Sequence, residues 1–175
     1  MTGPRAARRG LGLAGVALAV ASVPLGYLRL GGRPVTLTLP AGTVGLDALV
    51  AVAVLGSAGV ALLDCTRGEQ LLGAVAGGLA AAVGVSWVVG AAVSAGPGLP
   101  VAMVAWALVE VADLLDPRLA HPATPRRLAV AAVGLAAAST VAFLTVGGPV
   151  RLLSGVLAVA AWLYAVRWEL GAVRR

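Results

Sequence analysis

Two carboxylates stand inside an otherwise apolar stretch of this sequence. Glu110 and Asp113 lie near the end of the run 99–115, three residues apart, so on a helix they are neighbours one turn apart. A carboxylate within a membrane is costly, and two neighbouring carboxylates raise one another's affinity for protons, which suits proton or cation handling. This pair is the first candidate for chemistry in the chain.

Glu110 and Asp113 belong to a longer stripe, whose spacings of four and three residues place it on one helix face. The stripe consists of Leu99, Met103, Trp106, Glu110, Asp113 and Pro117. Counted from Leu115 at ~1.5 Å per residue, Glu110 lies about 7.5 Å and Asp113 about 3 Å inside the helix end. That depth favours a structural interpretation, in which both reach the lipid headgroups or pair with Arg167 of the last apolar run. A functional carboxylate pair beside Trp106 is the alternative.

The remaining reactive side chains form no catalytic pattern. Cys65 is the only cysteine and His121 the only histidine, which excludes an intrachain disulfide, a redox cysteine pair and a histidine-rich metal site within one chain. Three hydroxyl residues in apolar runs have no predicted base beside them: Ser86, Ser139 and Thr140. We expect no catalytic, cofactor-binding or metal site, no cofactor, and no enzymatic activity.

The composition indicates the solvent in which such a chain is stable. Of its 175 residues, 60% are hydrophobic and 11% are charged, whereas soluble domains carry roughly 25% charged residues. Too few polar side chains are present to cover a water-facing surface, so lipid must be part of the solvent. We expect an all-α polytopic transmembrane helical bundle that forms a single domain over residues 1–175.

Six apolar runs approach the ~20 residues that a helix needs to cross a bilayer. They cover residues 11–30, 46–63, 71–93, 99–115, 128–146 and 150–167. Pro24 removes a backbone donor inside the first run and predicts a kink. Asp47 lies in the first turn of the second run, where a carboxylate caps the positive end of a helix.

The connecting segments carry further signals. Thr66 and Glu69 have the spacing of a capping box at the start of the third helix, and Asp64 and Arg67 are expected to be local partners. Residues 33–40 alternate apolar and polar side chains, which is the periodicity of a strand. Because no second run is present to pair with them, we expect an extended loop, with a re-entrant element as the alternative.

The placement of the arginines predicts the orientation. With six spans and the amino terminus inside, ten arginines are cytoplasmic and three are outside, which is a strong positive-inside bias. The cytoplasmic set is Arg5, Arg8, Arg9, Arg67, Arg118, Arg126, Arg127, Arg167, Arg174 and Arg175, and the outer set is Arg29, Arg33 and Arg151. Both termini are therefore predicted to be cytoplasmic. The alternative is a first run that is a secretory signal, cleaved at Ala19-Val20-Ala21 to leave five spans.

The net charge of +6 does not indicate nucleic-acid binding, because the arginines form short clusters between apolar runs and no basic helix. Lys, Ile and Asn, whose codons are rich in A and T, are absent, which indicates a GC-rich genome. We expect a location in the cytoplasmic membrane of a prokaryote, with the lipid bilayer as the principal partner.

Gly73 and Gly77 form a GxxxG pair in the third run, and such small residues let two helix backbones approach closely. We interpret the third span as the packing centre of the bundle. A contact of this face with a membrane-protein partner or a second copy of the chain is the alternative.

These observations favour a small multi-pass protein that is a non-enzymatic accessory or structural component of the membrane. The alternative is a transporter, or a transporter subunit, for protons, cations or a small solute, which uses the carboxylates of the fourth span. A membrane enzyme is the third hypothesis.

Overall fold

The structure, a computed structural model, describes residues 4–39, 42–116, 119–120, 125–171 and 173–174. Within them the chain forms six α-helices, namely α1 (Pro4–Ser22), α2 (Leu46–Leu63), α3 (Cys65–Val88), α4 (Gly98–Leu114), α5 (Arg126–Thr145) and α6 (Pro149–Gly171). All except α4 are long and apolar enough to cross a membrane. The 17 residues of α4 extend about 26 Å at ~1.5 Å per residue, slightly less than a ~30 Å hydrocarbon core. The predicted helical class is confirmed.

The helices overlap the predicted apolar runs, but α1 begins and ends earlier than the run 11–30, and α3 begins at Cys65, earlier than expected. Asp64 is its N-cap: Oδ1 accepts hydrogen bonds from the amides of Thr66 and Arg67 at 3.1 and 3.3 Å. The predicted capping box of Thr66 and Glu69 is therefore wrong, because a carboxylate two positions earlier already caps the first turn. The predicted partnership of Asp64 and Arg67 is confirmed as an exposed ion pair of 3.5 Å.

Pro24 ends α1 and does not kink it. The α-helix stops at Ser22, and the chain continues through a 3-10 turn, Val23–Leu25, to Gly26. Gly26 has a φ of 70°, a conformation that residues with a Cβ rarely adopt. The hydroxyls of Ser22 and Tyr27 lie 2.9 Å apart and join the two sides of this turn. The prediction of a kinked helix is wrong because Pro24 lies in the 3-10 turn that follows α1 and not inside the helix.

The connections form short antiparallel strands. They are β1 (Leu28–Leu30), β2 (Arg33–Pro34), β3 (Thr36–Leu39), β4 (Gly42–Gly45), β5 (Val93–Ala95), β6 (Leu119–Ala120) and β7 (Val173–Arg174). One sheet has the order β2-β1-β5, while β3 pairs with β4 and β6 with β7. The extended conformation predicted for residues 33–40 is present, but the expectation of an unpaired loop is wrong. β4 begins and ends with glycine, so its sequence lacks the alternation that identifies a strand.

Asp47 connects the sheet to the helices. Its Oδ1 accepts hydrogen bonds from the amides of Tyr27 and Leu28 at 2.8 and 3.2 Å. The N-cap of α2 is Gly45, which makes no side-chain cap bond. Asp47 lies in the first turn of α2, as predicted for a carboxylate at the positive end of a helix, and its side chain in addition binds the β1 segment.

The bundle has two distinct ends. The sheet end carries β1, β2 and β5, between the end of α1 and the start of α4. The opposite end, called the terminal end below, holds the start of α1 and the turn between α2 and α3.

The central helix is α4, with twelve of its 17 residues buried. It packs against α1, α3 and α5. Gly15 permits the close approach of α1, since a Cβ there would lie 2.8 Å from the carbonyl oxygen of Ala105. The prediction that the third span is the packing centre is wrong, because only eight of the 24 residues of α3 are buried.

The outer faces of the surrounding helices are strongly apolar. Val52 and Leu63 of α2 are 71% and 91% exposed, and Leu153 and Val159 of α6 are 63% and 60% exposed. Contiguous apolar surface of this kind marks contact with lipid or with another protein. A buried polar centre with an apolar exterior is the arrangement that a bilayer favours.

Candidate functional site

The register between α3 and α4 is set by two contacts. Thr66 Oγ1 donates a hydrogen bond to Asp113 Oδ1 at 2.7 Å. Seven residues along α3, Gly73 lies against Trp106, where a Cβ on the glycine would be 2.7 Å from the indole Nε1. The two helices therefore run antiparallel and in direct contact over about two turns.

This register adds a third carboxylate to the two predicted from the sequence. Glu69 is three residues beyond Thr66 on α3, and Glu110 is three residues before Asp113 on α4, so Glu69 and Glu110 lie at the same level of the bundle. Their exposed fractions are 5% for Glu69, 2% for Glu110 and 5% for Asp113. We call these three residues the acidic cluster.

The predicted carboxylates are buried by protein. The depth argument placed Glu110 and Asp113 near the helix end, where long side chains commonly reach the lipid headgroups. The structure instead turns both into the contact of α4 with its neighbours, because α4 is enclosed by the other helices. Buried carboxylates are uncommon because a charged group is costly to remove from water, and three at one end of the bundle make the cluster the leading candidate site.

Two tryptophans cover the acidic cluster on the side facing the sheet end. Trp106 precedes Glu110 by four residues, about one helical turn, and stacks on Trp162 of α6, with ring centroids 4.2 Å apart and planes inclined by 11°. Beyond them the same face of α4 continues with Met103 and Leu99, both 0% exposed. Aromatic and apolar packing thus separates the cluster from the sheet end.

Charged groups lie around the cluster at the terminal end. Arg8 of α1 forms a 3.0 Å ion pair with Asp116, and their side chains are 31% and 18% exposed. Arg126 Nη2 donates a hydrogen bond to the carbonyl oxygen of Asp116 at 2.9 Å. These charged, partly exposed side chains mark the terminal end as the polar end of α4.

The structure does not bring Arg167 to the predicted carboxylates. Arg167 occupies an exposed position on α6, and the ion pairs found among the described residues are Arg8–Asp116 and Arg67–Asp64. The buried residues near the end of α6 are Ala165 and Trp168. Pro117, the last residue of the predicted stripe, lies outside the described residues.

Other hydroxyl and thiol groups make local backbone contacts. Thr140 Oγ1 donates to the carbonyl oxygen of Ala136 at 2.7 Å, as expected of a hydroxyl within an apolar helix. Cys65 Sγ lies 3.6 Å from the carbonyl oxygen of Val109, beside the acidic cluster. His121 lies outside the described residues.

Glu69 is the member of the site that the sequence interpretation missed. Its spacing from Thr66 suggested a helix cap, and that interpretation left the spacing of Glu69 from Gly73 unused. Glu69 precedes Gly73 by four residues, so it shares the small-residue face that was expected to pack against another helix. Together those facts predict a buried carboxylate.

Among the residues that the structure describes, no three His, Cys, Asp or Glu side chains are grouped so that they could hold a metal ion. Comparison of the chain with family models, with curated proteins and with solved structures finds no match.

Proposed function

We propose that the chain is a non-enzymatic accessory component of a prokaryotic cytoplasmic membrane whose acidic cluster binds protons from the cytoplasmic side. One observation carries the proposal: Glu69, Glu110 and Asp113 are each at most 5% exposed. A buried carboxylate is costly unless it is paired, hydrogen-bonded or neutralised by a bound proton. Proton binding therefore changes the charge between α3 and α4 and adjusts their contact.

The proposed topology has six spans, with both termini and the terminal end in the cytoplasm. Its support is the arginine bias and the five long apolar helices. The 17 residues of α4 are at the lower limit of the ~17–25 residues of known spans. In this orientation the charged residues Arg8, Asp116 and Arg126 at the terminal end face the cytoplasm.

Infrared difference spectroscopy of the protein in liposomes tests proton binding. We expect the carbonyl band of protonated carboxyl groups to appear between neutral and acidic pH, and Glu110→Gln and Glu69→Gln each to diminish it. The matched control is Asp64→Asn, which removes an exposed carboxylate at the same end but keeps a good N-cap residue. A band that is unchanged in both glutamine variants would refute the proposal.

A second candidate is proton or cation transport across the membrane. It is favoured by the location of the cluster inside the bundle, and opposed by the close packing of Trp106, Met103 and Leu99 on the sheet side. Flux into proteoliposomes separates the two functions. A flux that Glu110→Gln and Asp113→Asn abolish would establish transport, whereas proton binding without flux supports the accessory role.

A further inference from the structure

A groove with a volume of about 1000 Å³ runs between α3 and α6 on the outside of the bundle. Small residues form its α3 wall, including Gly77, Ala81 and Gly84, while Gly155 and Val159 line the α6 wall. Its volume is at the upper end of the ~300–1,000 Å³ of small-molecule sites. The groove is almost entirely apolar and therefore suits a hydrocarbon chain.

Arg151 is the one charged side chain among the described residues that line this groove. Its guanidinium carbon lies 5.2 Å from the ring centre of Trp87 and 4.9 Å from that of Phe143. These rings orient the cation but do not neutralise it. Arg151 Nε is buried without a hydrogen-bond partner, and no described carboxylate forms an ion pair with it.

The chemical complement of this site is an anion joined to an apolar tail. A buried donor without an acceptor is unfavourable, and a guanidinium binds phosphate oxygens in a bidentate manner. We propose that the groove binds one anionic phospholipid, with the phosphate at Arg151 and one acyl chain between α3 and α6.

The dimensions of the groove agree with this occupant. Arg151 is the third residue of α6, so its guanidinium lies at the depth of the lipid headgroups. Leu163, also in the lining, is twelve residues farther along, about 18 Å away at ~1.5 Å per residue. That length exceeds half of a ~30 Å hydrocarbon core, so an acyl chain of the sheet-side leaflet fits along it. A helix of a second copy would instead cover the arginine with apolar side chains.

Native mass spectrometry in mild detergent tests the headgroup. With phosphatidylglycerol and phosphatidylcholine of identical acyl chains, we expect the wild type to retain the anionic lipid about tenfold better, the effect of a charge-assisted bond pair. Arg151→Gln should abolish this preference. Arg33→Gln, which removes a charge from β2 at the same end, should leave it intact.

Quenching of tryptophan fluorescence by brominated acyl chains tests the groove in bilayers, since Trp87 and Trp162 line it. Ala81→Phe should fill the groove and reduce quenching by both lipids, whereas Ala82→Phe, exposed outside the lining, should not. Equal retention of both lipids by the wild type would overturn the proposal, as would an unchanged preference in Arg151→Gln. A dimer that Ala81→Phe disrupts, without any lipid preference, would assign the groove to a second copy of the chain.

Discussion

Gly73 determines how closely α3 approaches α4. A Cβ at this position would lie 2.7 Å from Trp106 Nε1 and 3.0 Å from Cδ1 of the same ring. The glycine therefore accommodates an indole, and not the backbone of a partner helix as the GxxxG spacing alone suggests. Trp106 covers the acidic cluster. The absence of a side chain at Gly73 therefore determines where this covering residue lies.

We expect Gly73→Ala to destabilise the protein by about 1–3 kcal/mol, since the added methyl group overpacks a closed contact. The matched control is Gly78→Ala on the same helix, where a Cβ would meet nothing within 4 Å and alanine stabilises by about 0.5–1 kcal/mol. Detergent-induced unfolding followed by circular dichroism measures both changes. Equal effects of the two substitutions would contradict the tight contact.

At the scale of elements, Asp47 couples the start of α2 to the turn that follows α1. Its carboxylate accepts two backbone hydrogen bonds from Tyr27 and Leu28. The adjacent β1 strand pairs in turn with β5, which precedes α4. Asp47 thus links the start of α2 to the segment that follows α1 and, through β1 and β5, to the start of α4.

We expect Asp47→Ala to accelerate amide exchange at Tyr27 and Leu28 and to cost about 1.5–3 kcal/mol, since hydrogen bonds to a charged group are lost. The control is Asp64→Ala, which removes the N-cap of α3 and should increase exchange at Thr66 and Arg67 only. Hydrogen–deuterium exchange with mass spectrometry resolves both regions. Unaltered exchange in the β1 segment of Asp47→Ala would disprove the coupling.

At the scale of the whole molecule, α4 is enclosed while the surrounding helices present apolar side chains outward. A carboxylate on the outward face of a surrounding helix would lie among exposed apolar side chains. Glu110 and Asp113 on α4, and Glu69 on the inward face of α3, are instead surrounded by protein, which lowers the cost of placing them in an apolar bundle.

Cysteine labelling tests whether α4 crosses the membrane. In a Cys65→Ser background, three helices separate Thr38 from Thr124, so the two positions lie on opposite sides if all three cross. We expect an impermeant reagent to label Thr38→Cys from outside intact cells and to spare Thr124→Cys until the membrane is opened. Labelling of both from outside would show that α4 does not cross, and the reverse pattern would invert the orientation.

Hydropathy and helical periodicity are local properties, and they predict much of this fold. They identify the helical class, the bounds of α2 and the face of α4 that carries Trp106, Glu110 and Asp113. The predicted kink at Pro24 and the predicted cap at Thr66 were wrong. In both places a nearby turn or residue satisfies the backbone groups instead, and the local sequence pattern does not distinguish the two possibilities. Asp64 caps α3 two positions earlier than the predicted cap, and the glycines of β4 conceal a strand.

The tertiary structure determines which side chains contact α4. Which residue lies opposite Glu110 depends on the register between two helices, and that register depends on how an indole fits beside Gly73. Neither the register nor the fit of the indole can be deduced from the hydrophobic periodicity of a single helix. The sequence thus determines that an apolar helix carries two acidic residues on one face, and the packing determines that Glu69 is buried at the same level while Arg167 remains on the outer surface.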